Sequence, residues 1–222
     1  MSNQHPKREE EIYRGNARLA TAASSTSPLI RLCTDWRFAV RTLRYLLGLP
    51  VPMDTEDRRV LEQIIFPYFT SLADVRRVLF VGCDWYTRHY EPAFFQGHTF
   101  WTIDPAPRAR KFAGRQHIVD VLENLPRHFG ADYFDLIICN GVYGFGLDTL
   151  AQCEAAFAAC RSRLRSGGYL LLGWDDIPAR TPVPLTDVSS LRSFRQSTLP
   201  PLGAWRYRTD TSYRHTYDFY QK

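Results

Sequence analysis

The chain has 222 residues, 45% of them hydrophobic and 23% charged, which is enough for one sizeable core and too few for two full domains. Its formal charge of +5 comes from arginines scattered among apolar segments, as in RSRLR at 161–165, with no Lys/Arg run, so nucleic acid is disfavoured as a partner. Five cysteines without a CxxC pair or a Cys/His cluster argue against a metal site, and no apolar stretch approaches the ~18 residues that span a bilayer, so no membrane association and a cytoplasmic location are expected.

Residues 1–27 are polar and rich in small side chains, ending in TAASSTSP, and read as a flexible arm. Residues 28–70 read as two helices that either cap the rest of the chain or pack on it. The first spans Leu29 to Leu47, with Leu32, Trp36, Ala39, Val40, Leu43, Leu46 and Leu47 on one face and GLPVP as its stop; the second runs from about Thr55 to Phe69 along Val60, Leu61, Ile64, Ile65 and Phe69.

From 71 to 222 short apolar runs alternate with helical stretches. RRVLFVG, HTFWTIDP, QHIVDV, YFDLIICNG and GGYLLLGWDD read as five strands, and LDTLAQCEAAFAACRSRLRSGG as a helix with Leu150, Cys153, Ala156, Phe157, Cys160 and Leu164 inward and a Gly-Gly C-cap. Continuous apolar strands imply burial on both faces, hence an α/β fold with a mostly parallel sheet. Two late segments, about Ala204 to Thr209 and Thr211 to Tyr220, predict an antiparallel pair at the sheet edge.

In such a sheet ligands bind beyond the carboxyl ends of the strands. There the sequence places Gly82, Cys83 and Asp84, then Asp104 and Pro105, then Asp120 and Val121, then Asn140, Gly141, Val142 and Tyr143, and last Trp174, Asp175 and Asp176. Gly82 allows close backbone approach, and a helix after it would present unpaired N–H groups. Asp104, 22 residues beyond Gly82, can accept hydrogen bonds from two ribose hydroxyls, and Asp120 with Val121 can meet an adenine. Each of these acids could equally cap a turn.

With these residues in place, the stretch from Arg76 to Trp174 resembles the class I S-adenosylmethionine-dependent methyltransferases. The likeness is carried by RVLFVGC, TIDP, HIVDVLENLP, YFDLIICNGVYGFGLD and LRSGGYLLLGW. It implies a Rossmann-like doubly wound sheet with an antiparallel edge strand, S-adenosyl-L-methionine as cofactor, and contacts to it from Gly82, Cys83, Asp84, Tyr86, Asp104, Pro105, Asp120, Val121, Asn140 and Gly141. The first motif departs from the family's: Phe80 stands at the usual acidic place, Asp84 at the second glycine and Tyr86 at the third. The bulky turn narrows the methionine end of the pocket, and Asp84 is a candidate substitute for the missing acid. A dehydrogenase would require GxGxxG, which GCDWYT lacks.

Methyl transfer needs alignment and no protein nucleophile. For a hydroxyl or amine acceptor a general base helps, and His89, Tyr143, Asp175 and His215 are the candidates; a carboxylate acceptor needs none. Trp85, Tyr86, Tyr143, Phe145 and Trp174 near the strand ends suggest an aromatic or apolar small-molecule acceptor. CNGVYG, without a Pro-Pro pair, speaks against N6-adenine methylation, and an RNA methyltransferase is disfavoured. The competing reading is a non-catalytic Rossmann-like module working through protein contacts. Oligomeric state has no signature in the sequence.

Overall fold

The computed structural model describes Val40, Leu43, Arg44, Met53 and residues 55–222. The arm at 1–27 lies outside the described residues, as does all of the first expected helix except Val40, Leu43 and Arg44, which are helical. Residues 50–222 form one compact unit.

It opens with α1 (Glu56–Val60), which passes through a π-helical turn (Leu61–Ile65) into α2 (Phe66–Ser71). Pro67 explains the widened turn, because its ring has no N–H and crowds the carbonyl four residues back. Next come β1 (Arg77–Val81), the short α3 (Tyr90–Phe94), β2 (Thr99–Ile103) and β3 (Gln116–Ile118). After them stand β4 (Phe134–Asn140), α4 (Leu150–Arg163) and β5 (Leu164–Asp175). The chain ends with α5 (Ser189–Arg192), β6 (Arg195–Gln196), β7 (Arg206–Arg208) and β8 (His215–Gln221).

The sheet order is β3-β2-β1-β4-β5-β8-β6, with β7 also on β8. The first five strands are parallel and β8 runs antiparallel to β5, as expected for this fold class. Strand order reverses between β1 and β4, which sets the crevice between their carboxyl ends.

Alternate residues feed two cores. Leu79, Ile137, Cys139, Leu170 and Leu172 face α4 through Cys153, Ala156, Phe157 and Cys160. Val78, Phe80, Leu136, Ile138, Leu171, Tyr217 and Phe219 face the N-terminal helix through Leu61, Ile65, Phe66 and Phe69. Phe80, at the place of the family's acid, is therefore a core residue, edge-on to Tyr90.

Two local expectations need correction. The helix carries a capping box of Thr149 and Gln152 but ends at Arg163, and Leu164 is already extended. Gly167 and Gly168 serve the irregular start of β5, where a Cβ on Gly168 would stand 3.0 Å from the Arg165 carbonyl oxygen and 3.1 Å from that of Asp135, so they are no C-cap. Leu150, expected inward, is exposed on the first turn.

At the opposite edge of the sheet Asp135 joins three segments. Its Oδ2 accepts the backbone N–H groups of Arg76 and Arg77 at 2.9 and 2.7 Å, and its Oδ1 accepts Arg165 Nε–H at 3.0 Å. Burial alone would raise its pKa, but these backbone donors and the two guanidinium groups bring it below the usual carboxylate value. A depressed carboxylate stabilises the fold above its unfolded pKa of about 3.9 and loses that contribution as pH falls through the lower folded value. Asp135→Ala should destabilise the protein by about 3 kcal/mol in urea unfolding at pH 7, with the difference from wild type shrinking in acid.

Candidate active site

The turn after β1 is built from side chain to backbone bonds. Gly82, at φ +84°, donates its N–H to Ile103, and a Cβ here would stand 3.0 Å from Val142 Cγ1. Asp104 accepts Cys83 N–H on Oδ2 and Ala106 N–H on Oδ1, each at 2.8 Å. Asp84 N–H goes to Thr87 Oγ1 and Trp85 N–H to Asp84 Oδ1. Thr87 N–H and Oγ1–H both return to the Asp84 carbonyl.

The helix expected directly after the turn is absent. The chain first makes the Asp84–Thr87 turn, and α3 starts at Tyr90 with only five residues. Three successive N–H groups, from Cys83 to Trp85, already have side-chain oxygen partners, so the turn is not an anion seat and presents carboxylates instead. The Cys83 thiol is pushed up to about 12 by burial, with Asp104 adding to it, and so stays protonated. Burial is also the largest influence on Asp84 and, with Asp104, raises its pKa against the opposing Trp85 N–H, Arg108 and Arg58.

A part of the site not foreseen in the sequence comes from α1. Arg58, 7% exposed, lies over the Tyr86 ring at 4.1 Å and donates from Nη1 to the Tyr90 hydroxyl at 2.8 Å. Its Nε is buried without a hydrogen-bond acceptor; the nearest carboxylate oxygen, Asp57 Oδ2, is 3.5 Å away. Asp57 is itself engaged, accepting the Tyr213 hydroxyl on Oδ1 and the Tyr217 hydroxyl on its carbonyl, both at 2.8 Å. No motif marks Asp57 or Arg58, because they lie on an amphipathic helix like any surface pair.

Beyond β3, Asp120 is held in its own turn, accepting Val121 N–H and Asn124 Nδ2–H on Oδ1 and facing His128 Nε2 with Oδ2, all at 2.8 Å. The Asn124 and His128 bonds lower its pKa. Val119 and Val121 beside it are exposed, as is Pro105 beside Asp104. Gly141 donates its N–H to the Gly173 carbonyl at 2.9 Å.

The four candidate bases do not converge. Asp175 and His215 do meet: they are cross-strand partners, with Oδ1 2.7 Å from Nδ1. The ring's Nε2 lies 3.0 Å from Asn140 Oδ1, which makes a row of the half-buried Asp175 with the buried His215 and Asn140 at the carboxyl ends of β5 and β4. Gly173 makes the row possible, since a Cβ there would sit 1.9 Å from Asn140 Oδ1 and 3.0 Å from His215 Nε2. Glycine inside the strand pattern LLLGWDD is the sequence signal for such an approach.

Tyr143 is wholly buried, with its hydroxyl donating to the Val183 carbonyl and its ring edge-on to Trp174. His89 is buried against Glu62 Oε1 at 3.6 Å, with Tyr90 and Phe94 around it, and makes no contact with Asp175 or His215. Of the aromatic residues expected near the acceptor, Tyr143 and Trp174 belong to the core, while Trp85, Tyr86 and Phe145 keep exposed surface. Among the described residues no group of three His, Cys, Asp or Glu side chains could hold a metal, and no helix is long and apolar enough to cross a membrane.

The strand order, the crevice between β1 and β4 and the antiparallel β8 define the fold of class I S-adenosylmethionine-dependent methyltransferases. The chain is similar in structure to the N-methyltransferase NodS from Bradyrhizobium japonicum, with a TM-score of 0.59 and 16% identity over 76% of this chain and 98% of that one. A second NodS structure, in complex with S-adenosyl-L-homocysteine, gives 0.58 and 17% over 76% and 89%. A TehB-like S-adenosylmethionine-dependent methyltransferase from Corynebacterium glutamicum gives 0.51 and 17% over 71% and 86%. No protein-family model and no curated protein matches the sequence.

The close contact at Gly173 yields a direct check. Gly173→Ala should cost about 1–3 kcal/mol of stability by overpacking. It should also shift the side-chain amide resonances of Asn140, while a Gly130→Ala control, which meets open space, leaves both measurements unchanged.

Proposed function

We propose that this chain is an S-adenosylmethionine-dependent methyltransferase acting on a small-molecule acceptor at a hydroxyl, a carboxylate or an amine. The observation that carries the reading is the polarity of the β1 turn. Its N–H groups are satisfied by side chains and it offers Asp84 and Asp104, which suits a ligand with hydroxyl and cationic groups and not a pyrophosphate.

The residues present fit the cofactor. Each Asp104 oxygen accepts one backbone N–H and retains a lone pair for a ribose hydroxyl. The exposed Val119 and Val121 offer apolar surface to the adenine. Asp84 matches the amino group, and the Arg58 guanidinium, whose Nε makes no hydrogen bond and has Asp57 Oδ2 at 3.5 Å, the carboxylate, of the amino-acid end. When bound, S-adenosylmethionine supplies a sulfonium methyl group that the acceptor's lone pair takes as the carbon–sulfur bond breaks, leaving S-adenosylhomocysteine. The chain's own part is to bring acceptor and methyl group into line and to exclude water, with Asn140, His215 and Asp175 as polar groups at the carboxyl ends of β4 and β5. Phe145, stacked at 4.2 Å under the Arg180 guanidinium, with Trp85 and Tyr86, favours a flat or apolar acceptor.

The half-buried Trp85 and Tyr86 over the turn also favour a second reading, a non-catalytic binding module whose cofactor pocket is closed. Mass spectrometry of the denatured protein separates the two: co-purified S-adenosylhomocysteine supports the enzyme. Calorimetric titration should give micromolar binding of S-adenosylhomocysteine, weakened at least tenfold by Asp104→Ala, in line with the roughly 1.5–3 kcal/mol of hydrogen bonds to a charged group. Arg58→Met should weaken S-adenosylhomocysteine by about tenfold and leave 5′-methylthioadenosine, which lacks the carboxylate, unaffected.

A further inference from the structure

We propose that Asn140 holds the methyl acceptor and that Asp175 and His215 are positioning residues which fix the end of its amide that faces the crevice. The proposal rests on the methyltransferase reading and narrows the acceptor to a hydrogen-bond donor, an amine or a hydroxyl, to the exclusion of a carboxylate.

Asn140 ends β4 at the point where strand order reverses, and its backbone carbonyl oxygen would be 3.9 Å from a Cβ on Gly82, which sets the residue beside the turn after β1. One end of its amide is taken by His215, and its Nδ2 meets no protein acceptor among the described residues. Amide oxygen and nitrogen are distinguished only by the bonds they make, so the imidazole decides the orientation.

The carboxylate of Asp175 can only accept, so His215 Nδ1 carries a proton. With the ring neutral, Nε2 is then a lone pair, and the amide group beside it must present its NH₂. Asn140 in that state turns its carbonyl oxygen to the crevice, where it accepts the N–H or O–H of an acceptor and aims the lone pair of the acceptor atom. With the ring protonated, Nε2–H donates to the amide oxygen, and the crevice meets an NH₂ group instead. One proton on His215 thus reverses the polarity that the acceptor encounters.

The ring is held for this role. The His215 N–H goes to Thr211 Oγ1 at 3.0 Å, and its carbonyl accepts Thr209 N–H at 2.8 Å and Thr209 Oγ1–H at 3.0 Å. Tyr217 and Tyr213 pack edge-on at 4.8 and 6.3 Å. The other charges nearby are spoken for: Asp57 accepts the Tyr213 hydroxyl beside Arg58, and Asp176 pairs with Arg208 and Arg214. Asp175 is the charged partner in contact with the imidazole. The missing side chain at Gly173 is the space in which the amide and the ring meet.

The test uses the full chain, ¹⁵N-labelled at histidine and asparagine and saturated with S-adenosylhomocysteine. Long-range ¹⁵N–¹H spectra at pH 8 should show His215 as the Nδ1-protonated tautomer and the Asn140 NH₂ protected from exchange. Asp175→Asn offers an NH₂ to Nδ1 and should reverse the tautomer, leaving affinity for S-adenosylhomocysteine within twofold while slowing transfer of a labelled methyl to amines or alcohols by about a hundredfold or more. An Nε2-protonated His215 at pH 8 in the wild type, an Asn140 side-chain amide whose resonances are unchanged by Asp175→Asn, or carboxylates methylated in preference to amines and alcohols would each overturn the proposal. Absence of S-adenosylhomocysteine binding would overturn the methyltransferase reading instead, since the tautomer is read independently of it.

Discussion

The carboxylate of Asp104 is the tie on which the carboxyl edge of the sheet depends. The β1–β2 register sets Val81 beside Ile103, so the residues that follow, Gly82 and Asp104, leave the sheet together. Asp104 then takes one N–H from each of the two departing turns, at Cys83 and at Ala106. Two loops that would otherwise move separately become one unit, and a donor that would have made an anion seat is consumed. The character of the crevice follows from that single group: it is lined by acceptors, and a chain lacking the usual glycines can still present a polar, close-approach turn.

A second consequence is that the N-terminal helix becomes part of the site. The turn at Asp84 to Thr87 postpones the next helix to Tyr90, and α1 meets the turn with Arg58 against Tyr86 and Tyr90. Tyr213 and Tyr217 reach the same helix through Asp57, which joins the N-terminal helix to β8 and its approach. Residues from both ends of the compact unit therefore meet at α1.

How much of this was legible in the sequence depends on the range of the forces involved. β4 and β5 were plain because burial on both faces demands continuous apolar runs, and Asp104 and Asp120 were plain because their positions follow from where strands end. The Gly-Gly pair after α4 misled because glycine answers to close backbone approach as readily as to a helix cap, and here the carbonyls of Arg165 and Asp135 set the need. Tyr143 and His89 could not be placed, since their partners, Val183 and Glu62, are 40 and 27 positions away and no periodicity connects them. Arg58 left no trace for the same reason. His215 and Asp175 lie 40 positions apart, and only the register of an antiparallel strand pairs them.

The core also tolerates charge where geometry is strict. Asp218 is fully buried in β8, yet Arg206 on β7 meets it with two N–H groups at 2.5 and 2.7 Å, and Trp174 Nε1 donates at 3.2 Å. Such a pair contributes less to stability than to registering one strand on its neighbour, because desolvation offsets most of the attraction.

That registration bears on how the molecule meets copies of itself. Beyond β8 the sheet ends in two fragments, β6 of two residues and β7 of three, on different parts of the same strand, and at the far side it ends in β3, also of three residues. Among the described residues, a run of unpaired backbone groups long enough to template another chain is missing at either margin. The two ragged borders leave an incoming strand little backbone to pair with, which disfavours edge-to-edge pairing of copies.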